Sequence, residues 1–255
     1  MSDSSNCDGK NDYSSNAQFD RWSHKLRLIT GLGLKSDDEK REWLNSRCNA
    51  WRDQLFESSP MVRYLLQHLS VLPIPTLEKT IPSENQPMTS QSDNAGPSTW
   101  LPIPIECGIC SPVRSAGLFS PFPPSTGGQV KLCSDGLASK SHMEDVLSHE
   151  LIHAWDHRRF KLDWGNLQHV ACTEIRANAL SGDCRWLREI DRHNFKFAKQ
   201  RQFCARRRAI LSVADHVKPS SEGGDSLDPM KVAEEVVDQV WASCWNDTRP
   251  FDEIY

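Results

Sequence analysis

Residues 148–157 read SHELIHAWDH. On an α-helix, residues four apart lie on the same face one turn apart, so the imidazole nitrogens of His149 and His153 can bind one metal ion. Glu150 adjoins the first histidine, where its carboxylate can take a proton from water at the metal while a carbonyl group is attacked. The stretch therefore predicts a helix that carries a hydrolytic zinc site, and the rest of the fold must enclose that helix.

Apolar residues surround this motif. No charged residue other than Glu150 lies between Val146 and Trp155, which indicates a helix that is buried on most sides. Buried imidazoles and a buried carboxylate need a partner that offsets their desolvation, and one catalytic Zn²⁺ ion is such a partner. The alternative is a pair of core histidines that are satisfied by ordinary hydrogen bonds.

A catalytic zinc site has three protein ligands and one open position. The metzincin spacing needs glycine at position 156 and histidine at position 159, but this chain has Asp156 and Arg159 there. The gluzincin pattern instead places a glutamate on a second helix further along the chain. It predicts Glu174 as the third ligand.

Other polar residues near the motif have weaker assignments. His169 and Asp163 are the alternative third ligands, and His157 is expected to be a bystander at the helix end. Asn178 and Asp156 are candidates for hydrogen bonds that orient the ligand side chains. His169 and Arg176 are guesses for a group that stabilises an oxyanion.

Helices are predicted on both sides of the motif. Ser36 and Glu39 form a capping-box pattern, and apolar residues then recur at helical spacing before and after Pro60. Residues 36–72 are therefore expected to form a helical hairpin that packs on the catalytic domain. After the motif, a loop at residues 163–165 and more helix from about residue 166 to residue 213 are expected.

The remaining segments complete the predicted organisation. Residues 1–35 have neither a secretory signal nor a mitochondrial presequence and are expected to be a disordered tail. Residues 73–104 are rich in proline and serine and are expected to form a loop. Residues 105–255 are expected to form the catalytic domain, with a small β-hairpin or strand pair within residues 105–135 and a last helix that begins at Asp228-Pro229. The predicted fold class is mainly α (α+β), zincin-like, with disulfide-stapled helices.

Composition limits the partners. The formal net charge of −4 gives no electrostatic reason to expect nucleic acid, and the basic run Arg206-Arg207-Arg208 is interpreted as a solvated helix face. No apolar run is long enough to span a bilayer, so any membrane association is expected to be peripheral. The nine cysteines indicate disulfides, a metal site or scattered reduced thiols.

The motifs HELIHAWDHRR, LDWGN, HVACTEIRANALSGDC and CWNDTRPF resemble the mitochondrial inner membrane metalloprotease family that matures subunit a of ATP synthase and assists assembly of its membrane sector. The resemblance covers residues 40–70 and 105–255. It implies a zinc metalloendopeptidase, peripheral to the inner membrane on the intermembrane-space side, where cysteines are oxidised. It also implies that His149 and His153 bind the metal, that Glu150 is catalytic, and that the partners are the subunit a precursor and assembly intermediates of ATP synthase.

Helix geometry limits how the cysteines can pair. If residues 172–184 form one helix, Cys172 and Cys184 lie about 18 Å apart along its axis, which is too far for a disulfide. Their partners are then expected among the other cysteines, stapling the hairpin and the CxxC region at 107–110 to the catalytic helices. A structural zinc site that uses this region and Cys133 is the alternative, and Cys7 is expected to be unpaired.

Relatives in this family often carry a cysteine where Arg158 stands and another near residues 72–75, and this chain lacks both. Two other functions stay open. One is an assembly chaperone with dispensable or absent protease activity, for which Glu150→Gln would change nothing. The other is a nuclear protease associated with DNA repair, for which most cysteines would be free thiols.

Overall fold

The computed structural model describes residues 22–23, 26, 30–34, 36–74, 101–113, 115–185, 199–217 and 228–251. From Asp37 onward these regions form six α-helices, three short strands and a 3₁₀ turn at Pro124–Thr126. The helices are α1 (Asp37–Ser58), α2 (Pro60–Ser70), α3 (Lys140–Arg159), α4 (Leu167–Leu180), α5 (Gln200–His216) and α6 (Pro229–Trp245), and the strands are β1 (Ile105–Gly108), β2 (Gly117–Ser120) and β3 (Gln129–Cys133). The predicted mainly helical fold with a small β-region is confirmed.

The two N-terminal helices begin at hydroxyl caps. The Ser36 hydroxyl accepts the amide hydrogen of Glu39 at 3.1 Å, and the Ser59 hydroxyl accepts that of Val62 at 3.1 Å. The apolar face of α2 is buried against α3, the motif helix, in one continuous core. The predicted hairpin is therefore present. The boundary between this hairpin and the catalytic domain stays a prediction. Most residues of the predicted tail (1–35) and of the predicted loop (73–104) lie outside the described residues.

The sheet has three strands in the order β1-β3-β2. Strands β2 and β3 form the predicted antiparallel hairpin, and β1 adds a parallel strand on the other side of β3, which was not predicted. Gly127 and Gly128 both have positive φ in the turn before β3, a conformation that glycine adopts without steric cost. Strand β2 is left at an edge of this sheet, next to α3.

The helical structure predicted from about residue 166 to 213 is confirmed over residues 167–180 and from residue 200 onward, but it is interrupted after Leu180. Helix α4 begins at its cap Asn166, after the predicted loop, but ends at Leu180. Gly182 follows with a φ of +92°, which a continuing right-handed helix does not permit. A separate helix, α5, begins at Gln200. Helices α5 and α6 pack on α4 in a second core, and α6 begins at the predicted Asp228 cap.

Four disulfides join neighbouring elements, in the pairs Cys48–Cys107, Cys110–Cys133, Cys172–Cys244 and Cys184–Cys204. The prediction that Cys172 and Cys184 do not pair with each other is confirmed. The predicted staple between the CxxC region and the catalytic helices is wrong, because that region pairs with α1 and β3 instead. The alternative of a structural zinc site there is wrong too, since its three sulfur atoms are used in disulfides. Cys7 lies outside the described residues.

Arg158 makes a non-covalent cross-link near the end of α3. Its buried guanidinium donates hydrogen bonds to the carbonyl groups of Leu69, Pro102 and Thr126 at 3.2, 2.6 and 2.6 Å. These acceptors lie at the end of α2, in the segment before β1 and in the 3₁₀ turn. One side chain of the motif helix therefore joins three separate segments of the chain.

None of the helices in the described parts of the chain has the length and apolar character that crossing a lipid bilayer requires.

Candidate active site

Two histidines of α3 and one glutamate of α4 point their side chains at a common centre. The Nε2 atoms of His149 and His153 lie 3.1 Å apart. Glu174 places Oε2 3.7 Å from Nε2 of His149 and Oε1 3.5 Å from Nε2 of His153. We call these three residues the ligand triad. It is the group of side chains among the described residues that could hold a metal ion.

The spacing of the ligand triad fits a tetrahedral ion. Zinc binds histidine nitrogen and carboxylate oxygen at about 2.1 Å, which puts neighbouring tetrahedral ligands about 3.4 Å apart. The three measured separations lie on either side of this value. A metal ion among two imidazole nitrogens and a carboxylate this close together would remove the repulsion between their lone pairs and the negative charge. The residues present therefore fit a zinc ion.

Hydrogen bonds fix the tautomer of His153. The Thr173 hydroxyl donates to Oδ2 of Asp156 at 2.8 Å, so it accepts from Nδ1–H of His153 at 2.9 Å. The Nε2 atom of His153 is then left with a lone pair for a metal. Burial lowers the pKa of His153 to about 4, which keeps the ring neutral as a ligand must be.

Asp156 is held in turn by Arg176. The guanidinium donates from Nε and Nη2 to the Asp156 carboxylate at 2.9–3.1 Å, and both side chains are buried. Its remaining donors reach the carbonyl groups of Asp247 and Arg249 after α6. Arg176 is thus a buried structural residue, and the guess that it stabilises an oxyanion is wrong.

Glu174 lies in a cradle of donors. The Ser212 hydroxyl of α5 donates to Oε1 at 2.6 Å, and the Asn178 amide donates to the Glu174 main-chain carbonyl at 2.8 Å and to Oε2 at 3.4 Å. Burial opposes ionisation, but His153, His149 and Ser212 together lower the pKa of Glu174 to about 2. The carboxylate is therefore charged at neutral pH, as a metal ligand requires.

Glu150 lies beside the ligand triad and against strand β2. Its carboxylate accepts a hydrogen bond from the Phe119 main chain. Burial raises its pKa to about 7, although the charge of His149 and this hydrogen bond act in the opposite direction. Gly117 makes the close approach possible, because a Cβ atom there would lie 2.9 Å from Oε1 of Glu150. A carboxylate with a pKa near neutrality can both accept and release a proton.

The alternative ligands lie apart from the ligand triad. His169 uses Nδ1 to accept the Asp163 amide hydrogen at 3.1 Å, and the Asp163 carboxylate accepts from the Gly165 amide at 2.8 Å. His157 accepts from the Trp164 indole at 3.4 Å. These three side chains organise the loop between α3 and α4.

The arginine run on α5 is not a free basic surface. Arg206 pairs with Glu234 and Asp238 of α6, and Arg208 pairs with Asp183 and donates to the Asn178 side chain at 2.7 Å. Two of the three arginine side chains are therefore held in ion pairs with carboxylates of the same chain.

Sequence reasoning did not find Thr173 and Ser212. Thr173 adjoins the predicted ligand Glu174, and its hydroxyl faces α3 only because the two helices pack. Ser212 lies 38 residues beyond Glu174 and reaches it only through the packing of α5 on α4. No spacing rule connects a serine on a third helix with the motif.

Comparison with known proteins places this geometry in context. The family model described as the Peptidase M76 family matches residues 46–252. The chain is 43% identical over 240 residues to the mitochondrial inner membrane protease ATP23 of Malassezia globosa, across 91% of this chain and 89% of that protein. It is 37% identical over 254 residues to the protein of the same name from Saccharomyces cerevisiae, across 94% and 97% of the two chains. No solved structure matches the chain.

Proposed function

Because this chain belongs to the Peptidase M76 family, we propose that it is a zinc-dependent endopeptidase whose metal is held by His149, His153 and Glu174. The observation that carries the proposal is the convergence of these three side chains, with separations of 3.1–3.7 Å between their ligand atoms. The zinc ion would polarise the scissile carbonyl group and acidify a water molecule. All other steps can be assigned to side chains and main-chain groups of the protein.

Glu150 is the proposed general base and acid. Its carboxylate takes one proton from water as the water oxygen bonds to the carbonyl carbon of the substrate. It then gives that proton to the amide nitrogen, and the carbon–nitrogen bond breaks to leave an amine and a carboxylic acid. The hydrogen bond from the Phe119 main chain orients the carboxylate for both transfers.

Strand β2 is the proposed binding edge for the substrate main chain. The Cys133 amide donates to the Ala116 carbonyl at 2.9 Å, so the alternation of an antiparallel pair turns the main-chain groups of Gly117 and Phe119 away from β3. Glu150 uses the Phe119 amide and Ser115 the Gly117 carbonyl, which leaves the Gly117 amide and the Phe119 carbonyl for a substrate. A substrate in an extended conformation can add to such an edge through main-chain hydrogen bonds. Because Glu150 lies against the same edge, an internal peptide bond would be held beside it.

The relatives' name gives the proposed location, the mitochondrial inner membrane. Four disulfides agree with an oxidising compartment, which supports the intermembrane-space side over a nuclear DNA-repair role. Peripheral attachment is proposed by family resemblance. By family resemblance, the proposed substrate is the precursor of ATP synthase subunit a, and the proposed partners are assembly intermediates of the ATP synthase membrane sector.

Zinc analysis and peptide cleavage test the proposal together. We expect about one zinc per purified wild-type chain, loss of zinc in Glu174→Ala, and retained zinc in Glu150→Gln. Wild-type protein should cleave a peptide that spans the processing site of subunit a, and Glu150→Gln should not. Zinc retained by Glu174→Ala would remove this residue from the ligand set. Cleavage that is absent from wild type, with assembly support unaffected by Glu150→Gln, would favour a chaperone instead.

A further inference from the structure

Trp164 belongs to the LDWGN stretch, residues 162–166, which has no part in the steps described above. It lies in the loop between α3 and α4, and its side chain is half-buried. The centroid of its ring lies 6.2 Å from that of His153, edge to face, and 5.6 Å from that of Phe119. The indole therefore contacts both a ring of the ligand triad and a side chain of strand β2.

His157 of α3 completes a group of three rings with Phe119 and Trp164, which we call the aromatic wall. The centroid of the His157 ring lies 5.6 Å from that of Phe119 and 6.2 Å from that of Trp164, distances at which aromatic rings attract each other. Burial and then the charge of Arg158 lower the pKa of His157, so this ring is neutral at neutral pH. The aromatic wall thus consists of three uncharged and partly exposed rings.

The aromatic wall lies on the side of strand β2 that faces α3. A Cβ atom at Gly117 would meet Val146 and Glu150 of α3. Side chains two residues apart in a strand share one face, so Phe119 points to the same side as this Cβ. Leu118, between them, points to the opposite face, where its side chain is 41% exposed.

A substrate on the free edge of β2 would bring one of its side chains to the aromatic wall. Residues directly opposite each other in an antiparallel pair have side chains on the same face, with Cβ atoms about 4.5–5.5 Å apart. The substrate residue opposite Phe119 would therefore direct its side chain toward the rings. Because the Phe119 main chain also donates a hydrogen bond to Glu150, this substrate residue lies close to the scissile bond. A large apolar side chain fits there best, because contact with the rings removes its surface from water.

We propose that the aromatic wall is a specificity subsite that receives a large apolar side chain of the substrate, close to the peptide bond that is cleaved. The inference rests on the proposed peptidase function and adds the class of peptide sequence that the site selects. Trp164 is its central residue, because it contacts the other two rings and His153. The subsite takes part in no bond change and acts by positioning the substrate.

The test measures a ratio of two rates within each protein, so the result does not depend on the fraction of active enzyme. Quenched fluorescent peptides that span the processing site of subunit a carry either phenylalanine or alanine at each position in turn. At one position, the wild type should have a kcat/KM about 10-fold higher for phenylalanine, a typical effect of a lost apolar contact. The positions directly before and after it should show little preference, since their side chains point to the other face of the strand.

Trp164→Ala should remove this preference and keep the zinc content, and Trp164→Phe should retain the preference. Trp241→Ala is the matched control, because it removes a half-buried tryptophan that stacks on Trp245 of α6, and its ratio should equal that of the wild type. An equal loss of cleavage for both peptides in Trp164→Ala would show a merely structural role and overturn the subsite. A wild type that cleaves the peptides without preference at any position would overturn it without any variant. If the wild type cleaves no peptide, the proposed function fails with it.

Discussion

The hydroxyl of Thr173 lies 2.9 Å from Nδ1 of His153, so a residue of α4 sets the orientation of a proposed metal-binding ring on α3. The same hydroxyl donates to Asp156, which lies one turn beyond His153 near the end of α3. The two helices that supply the ligand triad are therefore joined by a polar relay as well as by apolar packing. This relay determines which nitrogen of His153 is free for the metal.

Thr173→Val should weaken zinc binding. Valine has nearly the same shape, but it leaves Nδ1–H of His153 without its acceptor and removes one of the hydrogen bonds to Asp156. Loss of such an outer hydrogen bond costs about 10–100-fold in metal affinity. Competition with a chromophoric chelator would measure the change. Thr173→Ser keeps the hydroxyl and is the control, and equal zinc affinity in the valine and serine variants would contradict the relay.

Arg176→Met should destabilise the whole fold. It leaves the Asp156 carboxylate buried without its cation, and breaking a buried pair in this way costs about 3–5 kcal/mol. Arg206→Met is the matched control, because it breaks a partly exposed pair with Glu234 and Asp238 that is worth about 0–1 kcal/mol. Urea unfolding of the three proteins would give both differences. Similar losses in the two variants would show that burial of the Asp156 pair has no special effect.

The signals that predicted structure correctly are local ones. Ser36 and Asp228 have side chains that satisfy amide groups two or three residues away, and the histidine spacing depends only on the helix repeat. Ser212, Thr173 and the parallel strand β1 depend on contacts between segments distant in the chain, so no local pattern contains them. The missed helix end at Leu180 is different, since Gly182, two residues further on, is a stop signal in the sequence itself.

The disulfides should differ in how much they stabilise the fold. A cross-link removes more entropy from the unfolded chain when it closes a longer loop. Cys172 and Cys244 are separated by 72 residues, and Cys184 and Cys204 by 20, which corresponds to about 4 and about 3 kcal/mol. Urea unfolding of the two double alanine variants should therefore show the larger loss for the 172–244 pair. A reversed order would mean that native packing, and not loop closure, sets the difference.

Gly117→Ala should lower peptide cleavage without removing the metal. A Cβ atom at this position would lie 2.6 Å from Cγ1 of Val146 and 2.9 Å from Oε1 of Glu150, so strand β2 and the general base would have to move apart. A misplacement of about 1 Å can cost about 10²-fold in rate, while the ligand triad lies on α3 and α4 and keeps its zinc. Gly108→Ala is the control, because its Cβ would meet the end of the flexible Lys131 side chain at 3.1 Å. Wild-type cleavage by Gly117→Ala would show that Glu150 works without close contact to the strand.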